Sequence, residues 1–345
     1  MAKYKAGIIG LGFIGAADQI SGDALGQQVE DLDGTHLVSL QNHPEVEVLA
    51  GSSRDEGRRE RFAARTGAKT YADWRELIAG EELDIVSVAT YTPAHEEITV
   101  AAAEAGMRAI LCEKPVAPTV QGGERMLAAC AEAGALLVFN HQRRFTDSYR
   151  RVRDHIMVGG IGELVSVNAQ WGSGRLGNVG THVLDAICML TRRRIEAVSA
   201  TLDLAGKPDC RGGEFSDPGG WGTMRMQGGL MATVDAADYN CTPWDTRING
   251  SDGRVISNGI DFEIEYWNGT KEEWTNQSQQ GSGMDVAVRE IVAWLENGTP
   301  LETGPEEAVH ILESIVAFHA SHRKNSGWIE LPLLGTDREI AVNAG

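Results

Sequence analysis

The stretch YKAGIIGLGFIG, Tyr4–Gly15, decides how the first half of this chain is read. Its apolar run has the unbroken pattern of a strand buried on both faces, as in parallel sheets. The run closes on Gly10, Gly12 and Gly15, a G-x-G-x-x-G spacing with Phe13 and Ile14 inside it. The first glycine permits a tight turn. The second lets the backbone approach a pyrophosphate, and the third allows the next helix to pack closely. In a chain with 41 glycines the spacing alone is a weak signal. Its place directly after a strand makes it a dinucleotide-binding turn.

Outward from that turn, strand and helix alternate. VEVLAGSS (46–53), DIVSVAT (84–90), RAILCEKP (108–115) and ALLVFNH (135–141) repeat the buried-strand pattern. Between them lie RDEGRRERFAARTG, ending at a C-cap Gly67, and YADWRELIAG, with Asp73 as N-cap and Gly80 as stop. AHEEITVAAAEAG and TVQGGERMLAACAEAG also end in glycine. Short links between such elements predict a doubly wound parallel sheet, a Rossmann domain over residues 1–140. One segment departs from the pattern. Residues 16–34, AADQISGDALGQQVEDLDG, are polar and broken by glycine, and read as an insertion after the phosphate turn. It is expected to be either a lid or oligomer contact over the cofactor, or a decorated surface loop.

The end of the second strand selects the cofactor. An acidic residue there would accept from an adenosine 2′-hydroxyl; this chain has Ser52, Ser53 and Arg54. Hydroxyls and a guanidinium suit a 2′-phosphate, so NADP is the first expectation, with Asp55 keeping NAD open.

Past residue 140 the alternation stops. GELVSVNAQWG, IEAVSATLDL, GWGTMRMQ, GLMATVDAADYN, DTRINGSDGRVISN, IDFEIEYWNG and WIELPL read as strands with Gly, Asn and Asp turns. NVGTHVLDAICML, MDVAVREIVAWLENG and PEEAVHILESIVAFHASHRKN read as helices. Residues 141–345 therefore form an α+β domain with a large, mostly antiparallel sheet. Such a sheet is expected to bind substrate and to join subunits into a homodimer or homotetramer.

Composition bounds the partners. The 345 residues carry 31 Lys+Arg against 49 Asp+Glu, a formal charge of −18. That balance repels nucleic acids and anionic membranes. No stretch approaches the about 18 apolar residues of a membrane span, and the N-terminus lacks the pattern of a signal peptide. The five cysteines, Cys112, Cys130, Cys188, Cys210 and Cys241, show no C-x-x-C spacing, which points away from zinc and disulfides and towards the cytoplasm. His319 and His322 have one helical spacing but adjoin Arg323 and Lys324, so no metal site is expected.

The whole chain resembles the glucose-fructose oxidoreductase / inositol dehydrogenase family (Gfo/Idh/MocA). The resemblance rests on Gly10-x-Gly12-x-x-Gly15, TPAHEEITVAAAEAGMRAILCEKP (92–115), GTHVLD (180–185) and ESIVAFHASHRKNSGWIELP (313–332). The triplet Glu113-Lys114-Pro115 is the most specific of these. The resemblance implies an NAD(P)-dependent enzyme that moves a hydride between nicotinamide and a secondary hydroxyl of a sugar, sugar derivative or cyclitol. It implies that Lys114 is the acid/base and substrate contact, with Pro115 fixing its backbone. Glu113 orients the loop or touches the cofactor. His182 matches the family's active-site histidine. Many relatives carry an aspartate four residues earlier, where this chain has Asn178, which can hydrogen-bond a sugar hydroxyl but cannot titrate. The acid–base burden then falls on Lys114 and His182. Tyr91, Thr92, Pro93 and His95 are expected at the cofactor. Arg144, Trp171 and Arg175 are substrate candidates, each with a structural alternative as an ion pair or core packing; Trp244 has the same ambiguity, and Asp185 reads as helix-structural. Two other functions remain open: a glycoside-cleaving relative that recycles bound nicotinamide, and a non-catalytic sensor of cofactor and sugar.

Overall fold

The computed structural model describes residues 3–24, 34–205, 215–237, 243–275 and 281–344. Cys210, Cys241 and residues 25–33 of the expected insertion lie outside the described residues.

The chain divides into two compact units. The first comprises Met1–Ala117, Gly122–Gln142 and Gln279–Glu306. Its strands are β1 (Tyr4–Ile9), β2 (Val46–Ser52), β3 (Lys69–Tyr71), β4 (Ile85–Val88), β5 (Ala109–Cys112) and β6 (Leu136–Phe139). They form one parallel sheet in the order β3-β2-β1-β4-β5-β6. Every residue of β4 and β5 is buried, which explains their continuous apolar pattern. The strand order reverses between β1 and β4, and ligands of such sheets bind beyond the carboxyl ends of the strands at that point.

The helices of this unit begin with α1 (Phe13–Ala16), α2 (Gln19–Ala24) and α3 (His36–Asn42). The first helix is therefore interrupted. Its first turn ends at Ala17, which takes the left-handed conformation at φ 53°. α4 (Glu56–Thr66) staples this break. Arg61 holds the buried Asp18 carboxylate through two bonds of 2.7 and 2.8 Å, and Arg65 donates to the carbonyls of Ala16 and Ala17. α5 (Trp74–Gly80), α6 (His95–Glu104) and α7 (Val120–Ala133) follow. Asp73 caps α5 by accepting from Arg75 N–H, and Gly67 ends α4 at φ 71°, as expected. Gly80 is the last residue of α5, which ends on an extended Glu81 and not on a left-handed glycine.

The second unit comprises Pro118–Gln121, Arg143–Ser278 and Glu307–Gly345. It holds α8 (Asp147–Met157), β7 (Leu164–Gln170), α9 (Thr181–Thr191), β8 (Ile195–Asp203), β9 (Gly219–Met226), β10 (Met231–Asp235), β11 (Asp245–Gly250), β12 (Gly253–Ser257), β13 (Phe262–Tyr266) and β14 (Lys271–Trp274). α10 (Gly283–Asn297), expected with this half, packs on α3 in the first unit. α11 (Glu306–Arg323) and β15 (Ile329–Glu330) complete the chain's regular elements. The nine strands run β14-β13-β12-β11-β7-β10-β9-β8-β15, antiparallel except for β7 with β10. One face of the sheet is buried and the other exposed, which gives the alternation read from the sequence.

Candidate active site

The glycine turn has the geometry its spacing predicts. Gly10 sits at φ +105°, and a Cβ there would lie 2.4 Å from the Ala89 carbonyl oxygen. A Cβ on Gly15 would lie 1.9 Å from the Gly10 oxygen. Gly12 differs: its open side meets only Arg58 Nη1, at 3.7 Å. Two glycines thus close the turn on itself, and the third leaves its backbone bare.

Beyond that bare backbone lies a cavity of about 600 Å³. Gly10, Gly12, Ser53, Arg54 and Tyr91 line it, as expected of cofactor residues. Phe13, Gly15 and Thr92 are buried behind the turn and the following loop. Pro93 lines a separate groove between α5, α6 and α7. His95 is fully buried, with Nδ1 2.8 Å from the Pro115 oxygen and Nε2 3.0 Å from the Thr90 oxygen. Burial holds its pKa below the ordinary value, against the pull of those two carbonyls.

Three arginines and three carboxylates, Asp55, Asp73 and Glu97, bring charge to the cavity. Arg54, Arg58 and Arg75 all line it, and the Arg54 guanidinium lies 5.5 Å from the centre of the Tyr91 ring. Arg75 is paired with Asp73 and Glu97. No carboxylate pairs with Arg54 or Arg58 among the described residues. Asp55, the one acid at the end of β2, also lines the cavity, with one of its oxygens engaged in a helix cap. It is the N-cap of α4, accepting from Arg58 N–H at 2.8 Å. The sequence reading missed Arg58, which lies in the first turn of α4 while Arg54 precedes the helix cap. With α1 only one turn long, these side chains bring positive charge that a full first helix would supply through its dipole. The bare Gly12, the cavity and the two unpaired guanidiniums fit a pyrophosphate-bearing dinucleotide.

Glu113 and Lys114 follow β5 directly. Glu113 is buried, and its Oε1 lies 3.0 Å from His36 Nε2 and accepts from Asn140 Nδ2 at 2.5 Å. Burial alone would raise its pKa. The bond and charge of His36, then the Lys114 charge and the Asn140 bond, outweigh burial and bring it to about 2. Lys114 is half-buried, and its peptide bond to Pro115 is cis. Neither His36 nor Asn140 was picked out from the sequence. His36 follows the insertion, where no spacing ties it to Glu113.

In the second unit, Leu176–Gly180 forms a π turn that opens into α9. Asn178, buried, lies in that turn and His182, half-buried, in the first turn of α9. Asp217 fixes the turn by accepting from Gly177 N–H at 2.6 Å and Asn178 N–H at 2.8 Å. Arg175 precedes it at φ 59°, a conformation costly for a side chain with Cβ. Arg144 donates to Asp185 at 2.7 Å, and both are buried. Trp171 is 2% exposed, with its indole N–H on the Gly174 oxygen, which places it in the core under the turn. Trp244 carries the Arg143 guanidinium 4.4 Å from its ring centre. Burial pushes the thiols of Cys130 and Cys188 up to about 11 and about 12, which leaves them inert as nucleophiles near neutral pH.

Residues 4–141 match the family described as "Oxidoreductase family, NAD-binding Rossmann fold", and residues 167–256 match the "GFO/IDH/MocA C-terminal domain". The chain belongs to the Gfo/Idh/MocA oxidoreductases. Among family members, it is 27% identical over 234 residues to 1,5-anhydro-D-fructose reductase of Ensifer adhaerens, covering 62% of this chain and 69% of that one. It is 27% identical to levoglucosan dehydrogenase of Pseudarthrobacter phenanthrenivorans, over 69% of this chain and 63% of that one. With inositol 2-dehydrogenase of Salmonella typhimurium it shares 28% identity, over 48% of this chain and 45% of that one. The chain thus spans from under half to about two thirds of these relatives' lengths. The fold matches aldose-aldose oxidoreductase from Caulobacter crescentus, crystallised with glycerol, at a TM-score of 0.78 and 21% identity, over 95% of this chain and all of that one. It matches a levoglucosan dehydrogenase complexed with NADH and levoglucosan at 0.77 and 19%, over 95% and 99%.

Proposed function

We propose that this Gfo/Idh/MocA member is an NADP-using dehydrogenase or reductase acting on a secondary hydroxyl or ketone of a sugar, sugar derivative or cyclitol. The observation that carries the cofactor choice is the arginine pair. Arg54 and Arg58 stand at the cavity without carboxylate partners among the described residues, while Asp55 beside them gives one oxygen to a helix cap. A 2′-phosphate would receive charge-assisted bonds from Ser53 and Arg54, with Arg58 nearer the glycine turn. Gly10 and Gly12 present the backbone to the pyrophosphate, and Tyr91 bounds the cavity beside Arg54. The bound nicotinamide supplies hydride acceptance or donation.

The chain's own part is to handle the proton. Lys114 Nζ, as the neutral amine, takes the proton from the hydroxyl oxygen as hydride leaves the carbon that bears it, and returns the proton in the reverse direction. From the second unit, the resemblance adds Asn178 and His182 for the substrate hydroxyls, with His182 in the proton relay; the Arg144–Asp185 pair favours a structural role for Arg144. The relatives named for anhydro sugars and inositol support the substrate class. We also propose a homo-oligomer through the nine-stranded sheet, whose open face exposes Trp221 and Met231; light scattering of the purified protein would return a monomer mass if this is wrong.

Titration calorimetry with NADP(H) and NAD(H) tests the cofactor. Arg54→Ala should weaken NADP by about 10- to 100-fold, the worth of charged hydrogen bonds, and leave NAD within about threefold, whereas Arg58→Ala should weaken both. Equal losses for both cofactors in Arg54→Ala would refute the choice of NADP. Lys114→Ala should keep cofactor affinity and lose turnover by orders of magnitude; normal turnover would remove Lys114 from the chemistry.

A further inference from the structure

Glu113 presents a physical problem. An ionised carboxylate buried in a sheet core is expensive, and an apolar residue of similar size is often at least as stabilising. Such a group persists where it is fully bonded and where its bonds do something. The partners of Glu113 come from three directions. His36 approaches from α3, Asn140 from the end of β6, and the Glu113 N–H donates to Val88 of β4 at 2.8 Å. His36 is itself fixed, its Nδ1 2.6 Å from Ser87 Oγ in β4. Asn140 N–H donates to Cys112 O at 2.8 Å, and its Oδ1 has no partner among the described residues, so the amide is aimed by Glu113. The anchors converge on Oε1. The other oxygen, Oε2, accepts from the backbone N–H of Lys114 at 3.2 Å.

Ser87, His36 and Glu113 share the order of a hydrolytic triad. Ser87 and His36 are 0% exposed, so no acyl group can reach the hydroxyl, and the array is no second active site. Through Glu113 Oε2 the array reaches the half-buried Lys114. We infer that His36 and Asn140 are positioning residues for Lys114, acting through the Glu113 carboxylate. This rests on the proposed role of Lys114. The carboxylate fixes the lysine's backbone and places a buried negative charge beside its ammonium. The other titratable groups facing Glu113 are His36, His95 and Cys112; the last two are held neutral by burial.

The experiment compares Glu113→Gln, His36→Ala, His36→Gln, Asn140→Ala and Lys114→Ala in the full chain. Turnover is measured on whichever of levoglucosan, myo-inositol and 1,5-anhydro-D-fructose the wild type accepts best. Cofactor affinity is read by calorimetry. The proton affinity of Lys114 is read without substrate, from the pH dependence of its acetylation by acetic anhydride, followed by peptide mass spectrometry. Asn140→Ala and His36→Ala should lower kcat by about 10- to 100-fold, the cost of a misplaced group, with cofactor affinity held within about threefold. His36→Gln, which keeps a donor for Glu113, should recover much of the loss. If His36→Ala does not fold, Asn140→Ala and His36→Gln carry the comparison. In Glu113→Gln the acetylation midpoint should move to lower pH by about one unit or more, because an opposite charge no longer favours the ammonium. Wild-type kcat in Asn140→Ala and His36→Ala, with an unmoved midpoint in Glu113→Gln and a dead Lys114→Ala, would overturn this inference alone. Full turnover in Lys114→Ala would overturn both it and the reading beneath it.

Discussion

Gly12 and Gly15 are three residues apart and fail differently when substituted. A Cβ at Gly15 would strike the Gly10 carbonyl, which is backbone and cannot swing aside. Gly15→Ala should cost about 1–3 kcal/mol or more of stability through overpacking, read as a lowered melting temperature. Gly12→Ala meets no protein atom closer than 3.7 Å and should melt like the wild type, yet lose cofactor affinity in calorimetry. Equal melting of the two variants would show that the turn tolerates a side chain at both. The glycine spacing was legible from sequence because it encodes local backbone geometry. The role of Asp55 was not, because the same acid serves as a ribose acceptor or as a helix cap according to the direction of one side chain. Buried pairings such as His36 with Glu113 were illegible for a similar reason: 77 residues separate them and only folding joins them.

Elements were read well where the pattern was long. β1, β2, β4, β5 and β6 each show a buried run, and all were expected. β3 was missed because it is three residues long with no buried one, and β14 because its residues are mostly exposed. α8 was missed although Tyr149, Val152, Arg153 and Ile156 face inward at helical spacing; its arginines masked the stripe. The start of α9 was read as an ordinary helix. Its π turn depends on Asp217, about 40 residues downstream, which no local pattern announces. Asp217→Ala should leave the amides of Gly177 and Asn178 without their acceptor, costing about 1–3 kcal/mol and lowering turnover by loosening Asn178. A variant with wild-type melting and turnover would show that the turn holds without its cap. Asp185→Ala should cost about 3–5 kcal/mol by removing the carboxylate bonded to the buried Arg144 guanidinium, whereas a change under 1 kcal/mol in denaturant unfolding would deny the pair that weight.

Across the whole molecule, the buried histidines set a response to acid. Burial, aided by Arg194, holds His310 down to about 4, and its Nε2 accepts from Ile195 N–H at 3.1 Å. Burial, with Arg323 and His322, does the same for His319. Both folded values lie below the ordinary 6.5, so the unfolded chain binds more protons between those limits. Their contribution is present above about pH 6.5 and lost as pH falls towards 4. Glu113, depressed from 4.5 to about 2, continues the loss below pH 4.5. The melting temperature should fall steadily from pH 6.5 to 4.5, and His310→Gln, which keeps an acceptor but cannot titrate, should flatten that slope. The path of the chain carries a last consequence. α10 begins with a Ser282–Asp285 capping box, receives Asn42 Nδ2 on Asp285 at 3.1 Å, and lies on α3. α3 carries His36. A protease nick or a truncation after Gln142 would therefore spare every strand of the parallel sheet and still strip the support from the helix behind Lys114. Whoever divides this polypeptide into halves must splice residues 279–306 back onto the first, or expect a sticky fragment with an unsupported Glu113–Pro115 loop.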